Sequence, residues 1–223
     1  MISIIIPCYN GAEWLAETIE SALGQTLKAQ EIIVVDDGSK DNSLEIAKKY
    51  PVKVISQSNK GLASARNTGI MNANTEWLLF LDADDKLLPN AIERILEISK
   101  QNPGVDVIAP SLKEFGLGNR EIILMEDLKL EDFRTGNRLG YCAAIRRSVL
   151  LEIGGYSPKM VEGYEDLHLW INLLTRGYKI KTIPEVLWMY RLKNTSMYTK
   201  AIQYHKKLLA QINKDFPEAK LDF

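Results

Sequence analysis

Short apolar runs, each ending in a cluster of polar residues, recur through the first half of the chain. The clearest of these runs are residues 2–6, 31–35 and 76–81. Two of them begin with a glutamate and the first contains Ser3, but their other residues are apolar, and runs of this kind are typical of strands that are buried on both faces of a sheet. Segments with helical periodicity separate the runs, and strands that alternate with helices indicate βαβ units. The sequence therefore predicts an α/β fold with a mostly parallel central sheet and helices on both faces.

Turn and capping residues set the predicted boundaries. Asn10 and Glu13 fit a capping box at the start of the first helix, and Asp41 or Asn42 begins the second. The predicted strands are 2–6, 31–35, 52–56, 76–81, 106–109, 139–145, 179–183 and 186–190. The predicted helices are 10–27, 41–50, 62–73, 89–101, 147–153, 164–175 and 199–214. Residues 111–138 show weak periodicity, so we expect a long excursion over the site, either a mobile lid or a plain surface loop.

Composition limits the classes of protein to which the chain can belong. Its 223 residues are 46% hydrophobic, which suffices for one core in a single domain. The net charge of −1 gives no sign of nucleic-acid binding. Two distant cysteines, Cys8 and Cys142, fit a reducing cytoplasm better than a disulfide framework. No segment reads as a signal peptide or approaches the roughly 20 apolar residues of a membrane span, so we expect a cytoplasmic protein, soluble or peripheral at the inner face of the membrane.

Three polar clusters follow the ends of predicted strands, at residues 7–10, 36–39 and 82–85. Ligands of parallel sheets bind at the carboxyl ends of the strands, so we expect the three clusters to converge on one crevice. The last cluster contains Asp82, Asp84 and Asp85, whose carboxylates repel one another unless a positive group lies between them. A divalent cation bound to a phosphate-bearing ligand is the natural candidate. An acidic turn that caps the next helix would explain one of the three residues.

Five motifs follow one another along the chain: SIIIPCYN at 3–10, VVDDGS at 34–39, LASARNTG at 62–69, FLDADD at 80–85 and GYED at 163–166. In this order they resemble the motifs of the family 2 glycosyltransferases, which are inverting enzymes of the GT-A fold. The resemblance covers residues 2–192 and implies a Rossmann-like sheet, a nucleotide-sugar donor and attack on the anomeric carbon with inversion. It divides the single domain into a nucleotide-sugar-binding half (1–110), an acceptor and catalytic half (111–192) and a basic helical extension (193–223).

By this resemblance, the residues expected around the donor nucleotide are Pro7, Tyr9, Asn10, Asp36, Asp37, Arg66, Asp82 and Ala83. One of Asp36 and Asp37 would accept a hydrogen bond from the base, while the other makes an Asx turn. Tyr9 would stack on the base, the alternative being a tyrosine of the core. Arg66 would contact the base or pair with a carboxylate, and the two roles are compatible.

The resemblance also implies a Mn²⁺ or Mg²⁺ ion at the acidic cluster. Asp84 is its first-choice ligand, and Asp82 points toward the ribose or the waters of the metal. Asp85 is either a second ligand or a brace for the next segment. Many relatives have a His soon after a Tyr-Arg pair near the end, but here none follows Tyr190-Arg191. Arg191 and Lys193 are therefore candidates to contact the diphosphate.

An inverting transfer needs a base that takes the proton of the acceptor hydroxyl. Glu165 and Asp166 begin a predicted helix, whose dipole favours ionised carboxylates. The resemblance assigns the base to Asp166, supported by Glu165. Acids at helix N-termini are also common for purely structural reasons, and without the other motifs that interpretation would be preferred.

Residues 176–214 contain nine Lys or Arg residues and one acid, Glu185. The final helix within them is expected to dock on the domain. The alternative is an interfacial helix that meets anionic lipid, which would suit a lipid-linked acceptor.

The expected activity is metal-dependent, inverting transfer of a hexosyl or N-acetylhexosaminyl group from a nucleotide-sugar. The donor is a UDP-sugar, or else a GDP- or dTDP-sugar. The acceptor is a glycan or its lipid carrier in the synthesis of surface polysaccharide, lipopolysaccharide or glycolipid. The alternatives are a nucleotidyltransferase, which usually needs a Gly-rich basic loop that residues 7–11 do not form, and a non-catalytic module that binds nucleotide-sugars.

Overall fold

The computed structural model describes residues 1–126, 128–194 and 201–223. The described residues form nine strands and seven α-helices. The strands are β1 (Ile2–Cys8), β2 (Glu31–Asp36), β3 (Lys53–Ser56), β4 (Trp77–Phe80), β5 (Lys86–Leu87), β6 (Val107–Gly116), β7 (Glu121–Ile122), β8 (Ala144–Arg146) and β9 (Ile180–Leu192). The helices are α1 (Leu15–Leu23), α2 (Ser43–Ala47), α3 (Leu62–Asn72), α4 (Ala91–Gln101), α5 (Arg147–Ile153), α6 (Glu165–Thr175) and α7 (His205–Asp215). Two 3₁₀ turns cover Leu130–Thr135 and Ile202–Tyr204.

The strands form one sheet in the order β3-β2-β1-β4-β8-β6-β9-β5, with β7 paired to β6. The first four are parallel, and their register places Cys8 opposite Asp36 and Ile5 opposite Phe80. Strand β8 is antiparallel to both β4 and β6, β9 is parallel to β6, and β5 is antiparallel to β9. The predicted α/β fold is confirmed. The sheet is parallel from β3 to β4 and mixed beyond β4.

Alternate residues of the buried strands pack into two cores on opposite faces of the sheet. Ile4 and Ile6 of β1 belong to the core that includes the apolar side of α1 and α4. Ile5, between them, faces the other core, which includes α5 and α6. A Cβ at Gly69 would collide with Ile5, so glycine allows α3 to approach β1 closely.

The first helix is shorter than the sequence predicts. It begins at Leu15 and ends at Leu23. Asn10 adopts a left-handed conformation with φ of 51°, and its side chain accepts a hydrogen bond from the backbone of Lys40 at 2.8 Å. The predicted capping box is therefore wrong, because Asn10 ties the end of β1 to the loop after β2 instead of starting a helix.

The second half departs further from the predicted boundaries. Strand β6 continues to Gly116 alongside β9, so the excursion begins there and not at residue 111. The predicted strand at 139–145 reduces to Ala144–Arg146. The two predicted strands between 179 and 190 form the single strand β9, with an irregularity opposite Pro110–Leu112 of β6.

The C-terminal segment packs on the domain. The predicted start of its helix, at 199, lies outside the described residues, and α7 runs from His205 to Asp215. Leu208, Leu209 and Ile212 are buried in the core that also contains the apolar residues of α6. The last helix therefore docks on the domain as expected, and protein covers the apolar side of α7. Within the described ranges, no helix has the length and apolar character required to cross a bilayer.

Candidate active site

The loops that follow β1, β2 and β4 meet at one edge of the sheet. The backbone N–H of Asn10 donates to the hydroxyl of Ser39 at 3.0 Å, which joins the first two loops. A Cβ on Gly11 would lie 3.3 Å from the Cβ of Ala83, so the first loop also touches the third. The side chain of Tyr9 at this edge is not part of the core, because the residue is 48% exposed. The three polar clusters therefore converge, and Tyr9 offers an exposed ring beside them.

Asp36 and Asp37 are both buried and both hold loops in place. The Asp36 carboxylate accepts hydrogen bonds from the Ser39 N–H at 3.3 Å and from the Ser56 hydroxyl at 3.2 Å. The Asp37 carboxylate accepts bonds from the Gln57 side chain at 2.7 Å and from the N–H of Gly61 at 2.8 Å. Asp36 thus makes the predicted turn, while Asp37 fixes the segment that leads into α3.

The acidic turn after β4, residues 82–85, is held in place by hydrogen bonds to Asp85. One Asp85 oxygen accepts the Tyr141 hydroxyl at 2.5 Å, and the other accepts the Arg191 N–H at 2.7 Å. The same Tyr141 oxygen accepts the backbone N–H of Asp82 at 3.0 Å. Burial, reinforced by the charge of Asp84, raises the pKa of Asp85. Of its two predicted roles, the geometry of Asp85 matches the brace and not the metal ligand.

Asp82 and Asp84 keep part of their carboxylates accessible, with side-chain exposures of 24% and 28%. Asp84 forms an ion pair with Lys193, and Asp82 pairs with Arg66 at 2.8 Å. Burial raises the pKa of Asp82 to about 6, although the Arg66 guanidinium opposes the rise. Across the described residues, no group of three or more His, Cys, Asp or Glu side chains is arranged to hold a metal. A Mg²⁺ or Mn²⁺ ion that shares phosphate oxygens needs only one or two carboxylates, which Asp84 and Asp82 can supply.

Arg191 does not face the cleft, which corrects its expected contact with the diphosphate. Its guanidinium carbon lies 3.9 Å from the ring centre of Trp14 and 4.2 Å from that of Phe115. Its Nε donates to the backbone carbonyl of Asp84 at 2.8 Å, and its outer nitrogen pairs with Glu17. The stacked guanidinium therefore holds the acidic turn from behind, while Lys193 is the cation that reaches the Asp84 carboxylate.

Arg66 connects the acidic turn after β4 to the start of α6. It is fully buried, and its two outer nitrogens donate to Glu165 at 2.7 Å and to Asp82 at 2.8 Å. Its guanidinium carbon lies 5.1 Å from the ring centres of both Tyr141 and Tyr156. Of the two roles predicted for Arg66, the structure shows the ion pair. Arg66 pairs with two carboxylates, whereas the sequence suggested one.

Asp166 lies at the start of α6, directly after Tyr164-Glu165, where Tyr164 has a left-handed conformation with φ of 60°. One Asp166 oxygen accepts a hydrogen bond from the backbone N–H of Leu167 at 2.7 Å. The other accepts a hydrogen bond from the side-chain amide of Asn137 at 3.0 Å. Burial, and then the charge of Glu165, raises the pKa of Asp166 to about 7. A carboxylate with such a pKa is suited to accept a proton near neutral pH.

A cleft of about 500 Å³ opens between Asp82 and the start of α6. Of the predicted residues, it is lined by Asp82, Glu165, Asp166 and Lys193. Pro7, Tyr9, Asn10, Asp36, Asp37, Ala83 and Asp84 do not line it, and those near the loop ends form the adjacent edge. Sequence reasoning missed Asn137 and Tyr141, which also line the cleft. Both belong to irregular backbone: Asn137 lies in the segment of weak periodicity, and Tyr141 lies in the predicted strand 139–145, whose pattern gives no sign of a site residue.

The chain is similar in sequence to known glycosyltransferases. The family model described as "Glycosyl transferase family 2" matches residues 3–154. A Haemophilus influenzae protein described as an uncharacterized glycosyltransferase is 32% identical over 223 residues, covering 92% of this chain and 75% of that protein. The cholesterol galactosyltransferase of Borreliella burgdorferi is 41% identical over 104 residues, covering 44% of this chain and 29% of that one. With three other relatives, the matched part spans 31% to 35% of their length.

The fold is shared with a solved structure. Residues 1–349 of Staphylococcus aureus TarS, in complex with UDP-GlcNAc, align with a TM-score of 0.82. The alignment covers 99% of this chain and 68% of the TarS chain, at 18% sequence identity. At that identity the likeness shows a common GT-A-type architecture.

Proposed function

The chain belongs to the family 2 glycosyltransferases, and from that premise we propose that it transfers a sugar, with inversion, from a UDP-sugar to a hydroxyl group of a glycan or lipid-linked acceptor. The observation that carries this proposal is the junction at Arg66, which binds Asp82 of the donor half and Glu165 beside the base. Through it, Asp82 and the carboxylate of Asp166 line one cleft. We also propose that residues 1–223 act as one catalytic domain.

The donor nucleotide would lie along the edge where the first three loops meet. The exposed ring of Tyr9 can stack on a base, and the buried pair Asp36 and Asp37 shapes the floor. The solved structure of TarS with UDP-GlcNAc has the same architecture, and this supports uridine as the first nucleotide to test. GDP- and dTDP-sugars are the alternatives.

A divalent ion would be held by Asp84, with Asp82 toward its waters or the ribose. Mn²⁺ or Mg²⁺ supplies a Lewis acid for the charge that develops on the leaving diphosphate. The protein contributes Lys193, whose ammonium group lies against Asp84 and within the cleft. Arg191 and Asp85 hold the backbone of the turn, so that Asp84 keeps its place as charge accumulates.

Asp166 would take the proton from the acceptor hydroxyl as this oxygen attacks the anomeric carbon. Both of its oxygens accept one hydrogen bond from the protein, which fixes the plane of the carboxylate. A positioned base of this kind contributes on the order of 10²- to 10⁴-fold in rate. Glu165 would support the base by holding Arg66, with which it pairs at 2.7 Å.

Calorimetric titration of UDP, GDP and dTDP, each with and without Mn²⁺, tests the donor site directly. We expect tight, metal-dependent binding of UDP. Asp84→Asn should weaken this binding at least tenfold, whereas Asp166→Asn should preserve binding and abolish transfer. Asp222→Asn, a change at an exposed acid, is the matched control. If no diphosphate binds to the folded protein, or if Asp166→Asn keeps its turnover, the proposal is wrong. Metal-dependent binding without transfer or hydrolysis would indicate a binding module.

A further inference from the structure

The amide of Asn137 is oriented by a contact on each side. Its Oδ1 accepts the backbone N–H of Leu139 at 3.2 Å. That contact turns the NH₂ group toward Asp166, where Nδ2 donates to Oδ2 at 3.0 Å. The other Asp166 oxygen accepts the Leu167 N–H. The direction of the Asn137 amide is thus set by its own backbone surroundings and not by the carboxylate alone.

The segment that carries Asn137 is fixed to the domain. The preceding turn, Leu130–Thr135, is anchored by Phe133, which is completely buried. The guanidinium of Arg138 donates to the Asp132 carbonyl at 2.8 Å and to the Thr135 hydroxyl at 2.6 Å. Asn137 therefore sits on a short, internally bonded stretch of the long connection between β6 and β8.

We propose that Asn137 is a positioning residue, which holds the Asp166 carboxylate in its ionised form and in the plane required of the base. The proposal deepens the proposed function, on which it rests for the role of Asp166. It also gives a function to residues 111–138, which were predicted to be a lid or a surface loop, because Asn137 in this segment hydrogen-bonds to the base.

The charged groups around Asp166 oppose one another. Glu165 on the same helix and burial both favour the protonated form, while Arg66 from α3 and the Asn137 amide favour the ionised form. The phenols of Tyr156 and Tyr190, whose pKa values are raised by burial, face it as neutral groups. Hydrogen bonds to a charged acceptor favour the charged form, so loss of the amide should make Asp166 harder to ionise.

The test is a titration of Asp166 by NMR in protein labelled with ¹³C at the aspartate carboxyl groups. The Asp166 signal is identified by its absence from Asp166→Asn. Asn137→Ala should raise the titration midpoint by roughly half to one pH unit. Asn137→Asp, of the same size, should raise it further, because a second carboxylate then faces the first.

Asn90→Ala is the matched control, because Asn90 makes the same kind of bond, at 3.0 Å, to the Glu185 carboxylate away from the cleft. It should leave the Asp166 midpoint unchanged. If neither Asn137 variant moves that midpoint, the proposal is overturned. This measurement needs neither donor nor acceptor, so a failure to bind any nucleotide would count against the proposed function alone.

Discussion

Replacement of Arg66 by methionine should destabilise the protein strongly and in a pH-dependent way. The guanidinium is fully buried and pairs with two carboxylates, of which the Glu165 side chain is 8% exposed and that of Asp82 is 24% exposed. Removing one partner of a buried ion pair typically costs about 3–5 kcal/mol, because a charge is left without compensation. The larger exposure of Asp82 reduces its share, so we expect a loss of about 4 kcal/mol at pH 8.

The pH dependence of the stability loss follows from the carboxylates of Asp82 and Glu165, which lose their cation in the variant. Arg66 opposes the rise in the pKa of Asp82, so in Arg66→Met this pKa rises further above its value in the unfolded chain, and protonation favours the folded state more than in the wild type. Stability relative to wild type should therefore recover as the pH falls, and the loss should shrink to about 2 kcal/mol at pH 5. The double variant Arg66→Met/Glu165→Gln removes one of the two charges and should recover about half of the loss at pH 8.

Urea unfolding followed by tryptophan fluorescence at pH 8 and pH 5 measures these differences. Arg94→Met is the matched control, since Arg94 also pairs with two carboxylates, Glu97 and Glu185, but is 36% exposed. Exposed pairs contribute little, so this control should cost about 1 kcal/mol or less. A loss in Arg66→Met no larger than in Arg94→Met, or an equal loss at both pH values, would refute the reasoning.

Three further predictions concern the base, the acidic turn and the last helix. Turnover should fall about tenfold per pH unit below pH 7, because Asp166 must be ionised and its pKa is raised to about 7. Initial rates of nucleotide release measured from pH 5 to 9 check this, and a flat profile would contradict it. Tyr141→Phe removes the hydroxyl that joins Asp82 to Asp85 and should weaken Mn²⁺-dependent UDP binding about tenfold by calorimetry; unchanged affinity would show that the turn holds itself. Ile212→Ala, at a fully buried position of α7, should cost about 2–4 kcal/mol in urea unfolding, and a negligible loss would mean that the helix is not part of the core.

Sequence was most informative where local pattern and burial coincide. The apolar runs of β1, β2 and β4 are buried on both faces, so their positions were predictable from hydrophobicity alone. The polar clusters after them are at the edge where parallel topology requires them. The family assignment from the five motifs is confirmed by the match over residues 3–154. The roles of the individual site residues stay predictions.

The errors arose where contacts distant in sequence override local preference. Asn10 is a good helix cap by composition, but the loop after β2 supplies a partner that draws it into a left-handed turn. The position of Arg191 after Tyr190 suggested a side chain free to contact a diphosphate. In the fold, Trp14 and Phe115, from two other parts of the chain, enclose its guanidinium. Asn137 lies in a stretch without periodicity, and only the folded position of α6 reveals its partner.

The end of β9 fixes the position of the acidic turn. Arg191 reaches the turn through both its backbone N–H and its Nε, and neighbouring strand residues point to opposite faces of a sheet. Insertion or deletion of one residue between Trp188 and Arg191 would turn the guanidinium away from Asp84. The position of Asp84 therefore depends on the register of β9 against β6 as well as on the turn itself.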